Sequence, residues 1–488
     1  MIVIFKGCKV FYICSLKYPI SMTRIEETVC APATSQGGAI SVIRMSGPLS
    51  IEICGRIFSP SDSSVILNEQ RGYRIFHGAV YDDKEFIDEV LVTIFRAPNS
   101  YTGQDSVEIS CHGSSFIITR IMELLLRHGA LPARPGEFTM RAFLNGRMDL
   151  SQAEAVADLV ASGTREAHRV AVNQMRGGFS KEIAGLRSEL LRFATLIELE
   201  LDFGEEDVEF ADRDELKSIV INVKDLSDNL LSSFKLGNVI KNGIPVVITG
   251  KPNSGKSTLL NALLNEDRAI VSEIPGTTRD AIEDVIVING FQYRLSDTAG
   301  LRDTSDIIES LGIDKTYDRI EKASVILLVD DALEDPFMIN RRADEIRQKS
   351  ANRTSLIVLV NKTDLSTSDK IDELRSKIRL EAGETLLFIS AREKTGISDL
   401  LKCLAMIVDR EKLDDGSSIV TNIRHVDALR KVSESLERVI SGLEEGLSED
   451  LIAIDLRHAI HYLGDITGEE ISSEEILGNI FKNFCIGK

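Results

Sequence analysis

The eight residues GKPNSGKS (Gly250–Ser257) place glycines, a lysine and a hydroxyl at the spacing GxxxxGK[ST], after the run IPVVITG and before TLLNALL. This combination does phosphate chemistry. The glycines let backbone N–H groups wrap the oxygens, Lys256 neutralises β- and γ-phosphate charge, and Ser257 offers a hydroxyl to Mg²⁺. Asn253, Ser254, Gly255 and Thr258 complete the loop and its first helical turn. Four further stretches follow in order. IPGTTRD supplies Thr278 as the candidate that senses Mg²⁺ and γ-phosphate. DTAG (Asp297, Thr298, Ala299, Gly300) sets a carboxylate near the metal's water shell and an N–H of Gly300 at the γ-phosphate. NKTD offers Asn361, Lys362 and Asp364, whose carboxylate can accept both N1–H and N2–H of guanine. SAR (Ser390, Ala391, Arg392) brings a backbone N–H near guanine O6. Five motifs in one order, each at a strand end, select GTP over ATP.

The water-orienting group is the open question. A Ras-type GTPase carries a glutamine after the DTAG glycine, and here the residue is Leu301. Two features offer a replacement. The amide oxygen of Asn253 suits a monovalent cation beside the β/γ bridge, where an arginine finger would otherwise bring its charge. Loop-stabilising hydrogen bonding accounts for that asparagine equally well. The acids Asp303, Asp306 and Glu309 include a group able to orient water if the segment folds inward, a solvated switch loop being the plainer reading.

The elements that must position these groups change character along the chain. Residues 22–143 mix short β-type runs (AISVIRMSG, EVLVTIF, SVEISCHG) with Gly/Pro turns and one helical stretch, SSFIITRIMELLLRHG, as in an α+β domain with mostly antiparallel strands. Residues 144–238 are helical, with Leu186, Leu190, Phe193, Ile197 and Leu201 forming one apolar stripe. Across 239–408 buried runs (IPVVITG, FQYRLSD, ASVILLVDD, TSLIVLVNK, ETLLFISA) alternate with helices, a doubly wound α/β domain. Helices return over 409–488. The expected fold is therefore multi-domain, with a Ras-like α/β domain inserted into a discontinuous helical domain whose halves pack together.

Composition narrows the partners. Fifty-seven Lys and Arg against 76 Asp and Glu give a formal charge of −19, which argues against a general polyanion binder and an acidic-lipid surface. A local basic site for one folded RNA stays compatible with it. The seven cysteines show no CxxC pairing and no metal-ligand spacing, so the chain reads as one of a reducing, cytoplasmic compartment. No apolar run reaches the ~18 residues of a membrane span. Residues 1–21 lack a small-residue cleavage site, and the expectation is an extension from an upstream start, with the functional protein opening near Met22.

From about Thr23 to Lys488 the chain resembles the MnmE (TrmE) family of tRNA wobble-uridine modification GTPases. The resemblance rests on RPGEFTMRAFLNGRMDLSQAEAVADLV (Arg134–Val160), the terminal FCIGK (Phe484–Lys488) and the domain order, beyond the GTPase motifs. It implies a homodimer built through an N-terminal domain similar to tetrahydrofolate-binding domains, with G domains that meet when GTP and K⁺ bind. It implies a heterotetramer or larger complex with an FAD protein, MnmG (GidA). Together the two would install a carboxymethylaminomethyl or aminomethyl group on C5 of the tRNA wobble uridine, from 5,10-methylene-tetrahydrofolate (or a formyl-folate analogue) and glycine or ammonia.

By the same resemblance Asn253 matches a K⁺-ligating asparagine, and Ser272, Ile274 and Thr277 fall on the loop that completes the K⁺ cage. That loop, with Glu273, Pro275 and Gly276, borders the nucleotide. Ser257 and Thr278 match Mg²⁺ ligands, and Glu309 matches the water-orienting glutamate. Arg44, Glu108, Arg147 and Lys488 match folate-site positions, surface ion pairing being the plainer reading of the residues alone. Cys485 is either a catalytic thiol or a packing residue beside Lys488. Gln104 and Ser114 depart from the family's usual glutamate and glycine. A ribosome-assembly GTPase would need a KH-type domain with a GxxG clamp, which the helical tail does not show. A dynamin-like scaffold would need a lipid-binding or transmembrane segment.

Overall fold

A computed structural model describes residues 25–35, 37–202, 213–265, 284–297, 320–350, 354–407, 418–469, 474–482, 484 and 487. They divide into two compact units, one running to Ala157 and resuming at Thr467, the other spanning Asp158–Ile466.

The first unit is built on a sheet of β1 (Val29–Pro32), β2 (Ile40–Ser46), β3 (Phe58–Pro60), β4 (Arg74–Asp82), β5 (Glu85–Phe95), β6 (Ser106–His112) and β7 (Leu131–Pro132). Their order is β3-β4-β5-β6-β2-β1-β7, antiparallel throughout except for β1 beside β7. Alternation decides which face is covered. Val107, Ile109 and Cys111 of β6 are buried against α1 (Ser50–Ile57) and α2 (Ser115–Arg127), while Glu108 and Ser110 point to the other side. That other face carries exposed apolar residues, among them Ile40, Ile75 and Leu91.

After β7 comes α3 (Glu137–Leu144), which holds a fully buried Arg141. Its guanidinium pairs with Glu137 at 3.1 Å and donates to the carbonyl of Glu27 (2.7 Å) and to Gln104 Oε1 (2.9 Å). Gln104 therefore belongs to an interior brace rather than an open pocket wall. The helix α4 (Leu150–Ala161) follows, and its Leu150 and Ala153 share a core with Leu477 and Phe481 of the C-terminal helix Glu474–Phe481.

In the second unit, α5 (Arg165–Met175), α6 (Gly178–Asp202) and α7 (Arg213–Asn242) precede the nucleotide motifs. The predicted stripe of α6 is buried at Leu186, Leu190, Phe193 and Ile197. It meets α7 together with α12 (Ile423–Glu445) and α13 (Glu449–Thr467), so helices on both sides of the insert share one core. The insert is a sheet of β8 (Ile244–Thr249), β9 (Asp284–Ile288), β10 (Phe291–Asp297), β11 (Val325–Asp331), β12 (Ser355–Asn361) and β13 (Thr385–Phe388), in the order β13-β12-β11-β8-β10-β9. Only β9 runs antiparallel. Strands buried on both faces must be apolar at every position. Ile357 and Leu359 of β12 accordingly enter one core, and Leu356, Val358 and Val360 the other. The helices α8 (Lys256–Leu264), α9 (Pro336–Lys349), α10 (Ser368–Lys377) and α11 (Ile397–Met406) cover the sheet. The fold is thus multi-domain, an α+β part followed by a discontinuous helical part that carries an α/β insert.

Among the described residues no helix is long and apolar enough to cross a membrane, and no group of three or more His, Cys, Asp or Glu is placed to hold a metal. Burial pushes the thiols of Cys30 and Cys54 up to about 12 and that of Cys111 to about 11, so none is a ready nucleophile.

Two helical glycines give a paired test. A Cβ on Gly237 would lie 1.9 Å from the carbonyl oxygen of Val420, whereas one on Gly185 would meet nothing within 4 Å. Gly237→Ala should cost about 1–3 kcal/mol by overpacking. Gly185→Ala should be stabilising by about 0.5–1 kcal/mol, since an exposed helix interior favours Ala over Gly. Denaturant midpoints of the two variants check this, and equal shifts would contradict the close approach at Gly237.

Candidate functional site

The phosphate loop joins the end of β8 to the start of α8. Its outer glycines stand where no side chain fits. Gly250 has φ +143, and a Cβ there would lie 2.0 Å from the carbonyl oxygen of Val329. Gly255 has φ +95, and a Cβ would lie 2.3 Å from the Asn361 amide nitrogen. Within the loop, Lys256 is buried and its ammonium donates to the carbonyls of Gly250 (3.1 Å) and Lys251 (2.8 Å). Ser257 and Thr258 lie exposed on the first turn of α8, and Asn253 takes a left-handed φ of +62 with its side chain exposed.

The NKTD turn follows β12. Asn361 is buried at its end and makes the joint of the site. Its Nδ2 donates to the carbonyl of Ser254 at 2.8 Å, and its Oδ1 accepts the N–H of Ala391 at 2.9 Å. One amide thereby ties the phosphate loop to both base-side motifs. Lys362, at φ +63, donates to the carbonyl of Asn253 (2.7 Å) and to Asp331 Oδ2 (2.8 Å). Asp364 stands exposed on a short turn, with its Oδ1 accepting from Ser390 Oγ at 2.5 Å. Arg392 is different. Its side chain is exposed and faces Glu393 at 3.8 Å, so the SAR stretch is tied in by the Ala391 N–H and the Ser390 hydroxyl, not by Arg392.

In the first unit, Arg44 on β2 stands directly across from Glu108 on β6. The guanidinium donates to Glu108 Oε1 through Nε (2.9 Å) and lies over the rings of Tyr101 and Phe138, 5.4 and 5.7 Å from their centroids. Its Nη1 donates to the carbonyl of Gly487 at 3.2 Å. The two residues form one partly buried ion pair on the open sheet face, edged by aromatic rings and Gly487. Arg147 sits beside Gly103 on the turn after α3, and among the described residues no hydrogen bond or ion pair joins it to Arg44 or Glu108.

Comparison with known proteins decides the family. The family model for the MnmE helical domain matches residues 150–485, and that for the GTP-binding protein TrmE N-terminus matches residues 28–147. The tRNA modification GTPase MnmE of Bacteroides fragilis (strain YCH46) is 49% identical over 465 residues, covering 95% of this chain and 100% of its own. That of Flavobacterium johnsoniae is 49% identical over 466 residues, with 95% and 99% covered. The chain belongs to the MnmE family. A solved GTP-binding protein of Sulfolobus solfataricus in complex with GDP aligns at 18% identity and a TM-score of 0.27, covering 60% of this chain and 78% of its own, too weak a likeness to add weight.

Of the nucleotide residues expected in this MnmE chain, Asn253, Ser254, Gly255, Lys256, Asn361, Lys362, Asp364, Ser390 and Ala391 are brought together by the contacts above. Asp297 ends β10, where its backbone is in register with Ile248 of β8. Ser272, Glu273, Ile274, Pro275, Gly276, Thr277, Thr278, Thr298, Ala299, Gly300, Leu301, Asp303, Asp306, Glu309, Cys485 and Lys488 lie outside the described residues.

Three residues at the site escape motif reading: Lys251, Asp331 and Glu334. Lys251 pairs with Glu334 at 2.5 Å, and Arg342 of α9 reaches Asp330 (2.7 Å) and Glu334 (3.3 Å). Burial alone would raise the Asp331 carboxyl, but Lys362 and the N–H of Leu333 outweigh it and hold it below its ordinary value. Hydrogen bonding from Lys251 likewise lowers Glu334. The only local signal was an acidic run, VDDALED, at a strand end.

Asn361→Ala removes both hydrogen bonds of the joint and leaves buried partners unpaired, at about 1–3 kcal/mol each. GTP affinity should fall by about 10²-fold or more on that basis. Calorimetric or fluorescent nucleotide titration checks it, and a dissociation constant within threefold of wild type would rule the joint out as a determinant of binding.

Proposed function

We propose that this chain is a GTP hydrolase of tRNA modification, activated by K⁺ and by pairing of its nucleotide domains. With an FAD-containing partner of the MnmG (GidA) kind it would add a carboxymethylaminomethyl or aminomethyl group to C5 of the wobble uridine. The observation that carries the reading is Asn361, which joins a phosphate loop to guanine-type recognition turns in a member of the MnmE family. GTP, the substrate, would lie with its phosphates along the loop and its base against Asp364. Asp364 distinguishes guanine from adenine by accepting two N–H groups, and Lys256 is already seated in the loop to meet phosphate oxygens.

The residues present suit the ions this reading needs. Ser257 offers an exposed hydroxyl on the first turn of α8, and Asp297 a carboxylate-bearing residue at the neighbouring strand end, oxygen donors of the kind Mg²⁺ takes. Mg²⁺ held by Ser257 and Thr278 would neutralise charge on the transferring phosphate. The backbone carbonyl of Asn253 already accepts from Lys362, and its exposed side-chain amide is the group offered to K⁺. Ser272, Ile274 and Thr277 would complete the hold on that cation, whose charge would stand in for that of an arginine finger. Glu309 is then the residue that orients water, and Leu301 needs no replacement at its own position.

A folate one-carbon carrier, 5,10-methylene-tetrahydrofolate or a formyl analogue, fits the first unit. Glu108 can accept from the pterin amide and amine, Arg44 with Arg147 and Lys488 can meet the anionic tail, and the Tyr101 and Phe138 rings supply flat apolar surface. The one-carbon unit would be joined to a nitrogen from glycine or ammonia. Cys485 follows Phe484, which packs on Phe481 in this same unit, and a thiol role there is part of the proposal. Ile40, Ile75 and Leu91, exposed on the face that carries Arg44, support a homodimer through this domain. At a net charge of −19 the chain would leave much of the basic tRNA surface to its partner in the heterotetramer or larger complex, in the cytoplasm.

Turnover of GTP should be markedly faster in KCl than in NaCl, and cells lacking the gene should lose the modified wobble nucleosides on mass spectrometry. Equal turnover in both salts with an unchanged nucleoside profile would sink the proposal. Glu309→Ala should slow hydrolysis by about 10²–10⁴-fold, the range of a positioned acid or base. A rate within a few-fold of wild type would remove that residue from the chemistry.

A further inference from the structure

The end of β11 and the turn after it reach the phosphate loop by two routes, one relayed through Lys362 and one direct. Asp331 Oδ2 accepts from Lys362 at 2.8 Å, and the same ammonium donates to the carbonyl of Asn253 at 2.7 Å. Three residues on, Glu334 Oε2 accepts from Lys251 at 2.5 Å. Arg342 of α9 grips the turn from behind through Asp330 and Glu334. The stretch Lys251–Pro252–Asn253 is therefore tied at one end to Glu334 through the Lys251 side chain, and at the other to Asp331 through Lys362.

The held stretch needs holding. Asn253 and Lys362 are both non-glycine residues at left-handed φ, +62 and +63, and such conformations persist only where surrounding contacts favour them. A lysine ammonium on a four-carbon stem has many rotamers and prefers water, so it makes a poor fixed strut by itself. Asp331, with its side chain 13% exposed, gives that ammonium a charge-assisted anchor and so fixes where it can donate.

We propose that Asp331 and Glu334 are positioning residues of the nucleotide site, a carboxylate clamp that holds the Lys251–Asn253 segment and sets the affinity for a monovalent cation at Asn253. The clamp acts through the two lysines and touches neither nucleotide nor ion. Its second consequence rests on the potassium reading of Asn253 given above. Its first, slow release of nucleotide, does not.

The test uses the full chain and N-methylanthraniloyl-GDP, followed by stopped-flow fluorescence, with GTP turnover titrated against KCl. Asp331→Ala should speed release by about 5- to 20-fold, as expected for a partly exposed charge-assisted hydrogen bond, and raise the K⁺ concentration for half-activation several-fold. Asp331→Glu, which restores the charge, should recover most of both effects, and Glu334→Gln should reproduce a weaker version of them. A release rate and K⁺ midpoint within twofold of wild type, in Asp331→Ala or in Asp331→Asn should the alanine variant not fold, would overturn the clamp. Faster release with an unmoved K⁺ midpoint and no recovery in Asp331→Glu would also overturn it, as the mark of general loosening. A wild type indifferent to K⁺ would overturn the potassium reading and the clamp's control of the cation with it, while the release rate would still decide the clamp's hold on the loop.

Discussion

A loop that binds phosphate must keep its backbone N–H groups available to an anion, so it has to be fixed through its carbonyls. The loop at Gly250–Gly255 meets that constraint with side chains drawn from elsewhere. Lys256 takes the carbonyls of Gly250 and Lys251, Lys362 takes that of Asn253, and Asn361 takes that of Ser254. Two of these three donors come from the NKTD turn, more than a hundred residues on. The NKTD turn and the phosphate loop are thus one hydrogen-bonded structure, whatever base the turn takes.

Holding the donors in place is the work of the sheet. β8, β11 and β12 lie side by side, and the loop, the acidic turn and NKTD leave from their adjacent carboxyl ends. Because each strand is apolar on both faces, sliding it by one residue would still bury apolar groups but would break the parallel ladder and displace Asn361 from Ser254. The insert is also not free of the helices around it. Val170 of α5, Ile240 near the end of α7, and Ile419 share a core with β8 and β10, and Gly243 alone separates α7 from β8. A change at the nucleotide has a packed route into the helical part, through side chains rather than a linker.

The parts of this arrangement that show in the sequence are those with a local signature. The phosphate loop, NKTD and the central strands appear as a motif or as an unbroken apolar run. The edge strand β9 and the eight-residue helix α1 do not, since each is too short to display a period. Pairings between distant residues are equally hidden. Ion pairing is the plainer reading of Arg44 and Glu108, but that each is the other's partner is hidden, because nothing local says that β2 and β6 are neighbours in a register that sets them opposite each other. Asp331 reads as a strand-end acid because its partner lies on the next strand. Gln104 shows in the sequence only as a departure from the family's glutamate, and its contact with the buried Arg141 depends on a helix 33 or more positions later.

The same reasoning applies to RPGEF and FCIGK, far apart in the chain. Gly136 of the first motif has φ +65, and a Cβ there would press within 2.9 Å of Phe484 and of the Phe481 carbonyl oxygen. Gly487 of the second has φ +94, and a Cβ would lie 2.2 Å from the carbonyl oxygen of Pro32. Each glycine admits the other end of the chain to the sheet that carries Arg44, and the Gly487 carbonyl then takes a hydrogen bond from that arginine. Gly136 is thus packed against Phe481 and Phe484, and Gly487 against β1, where a side chain added at Gly487 would be felt at the Arg44–Glu108 pair.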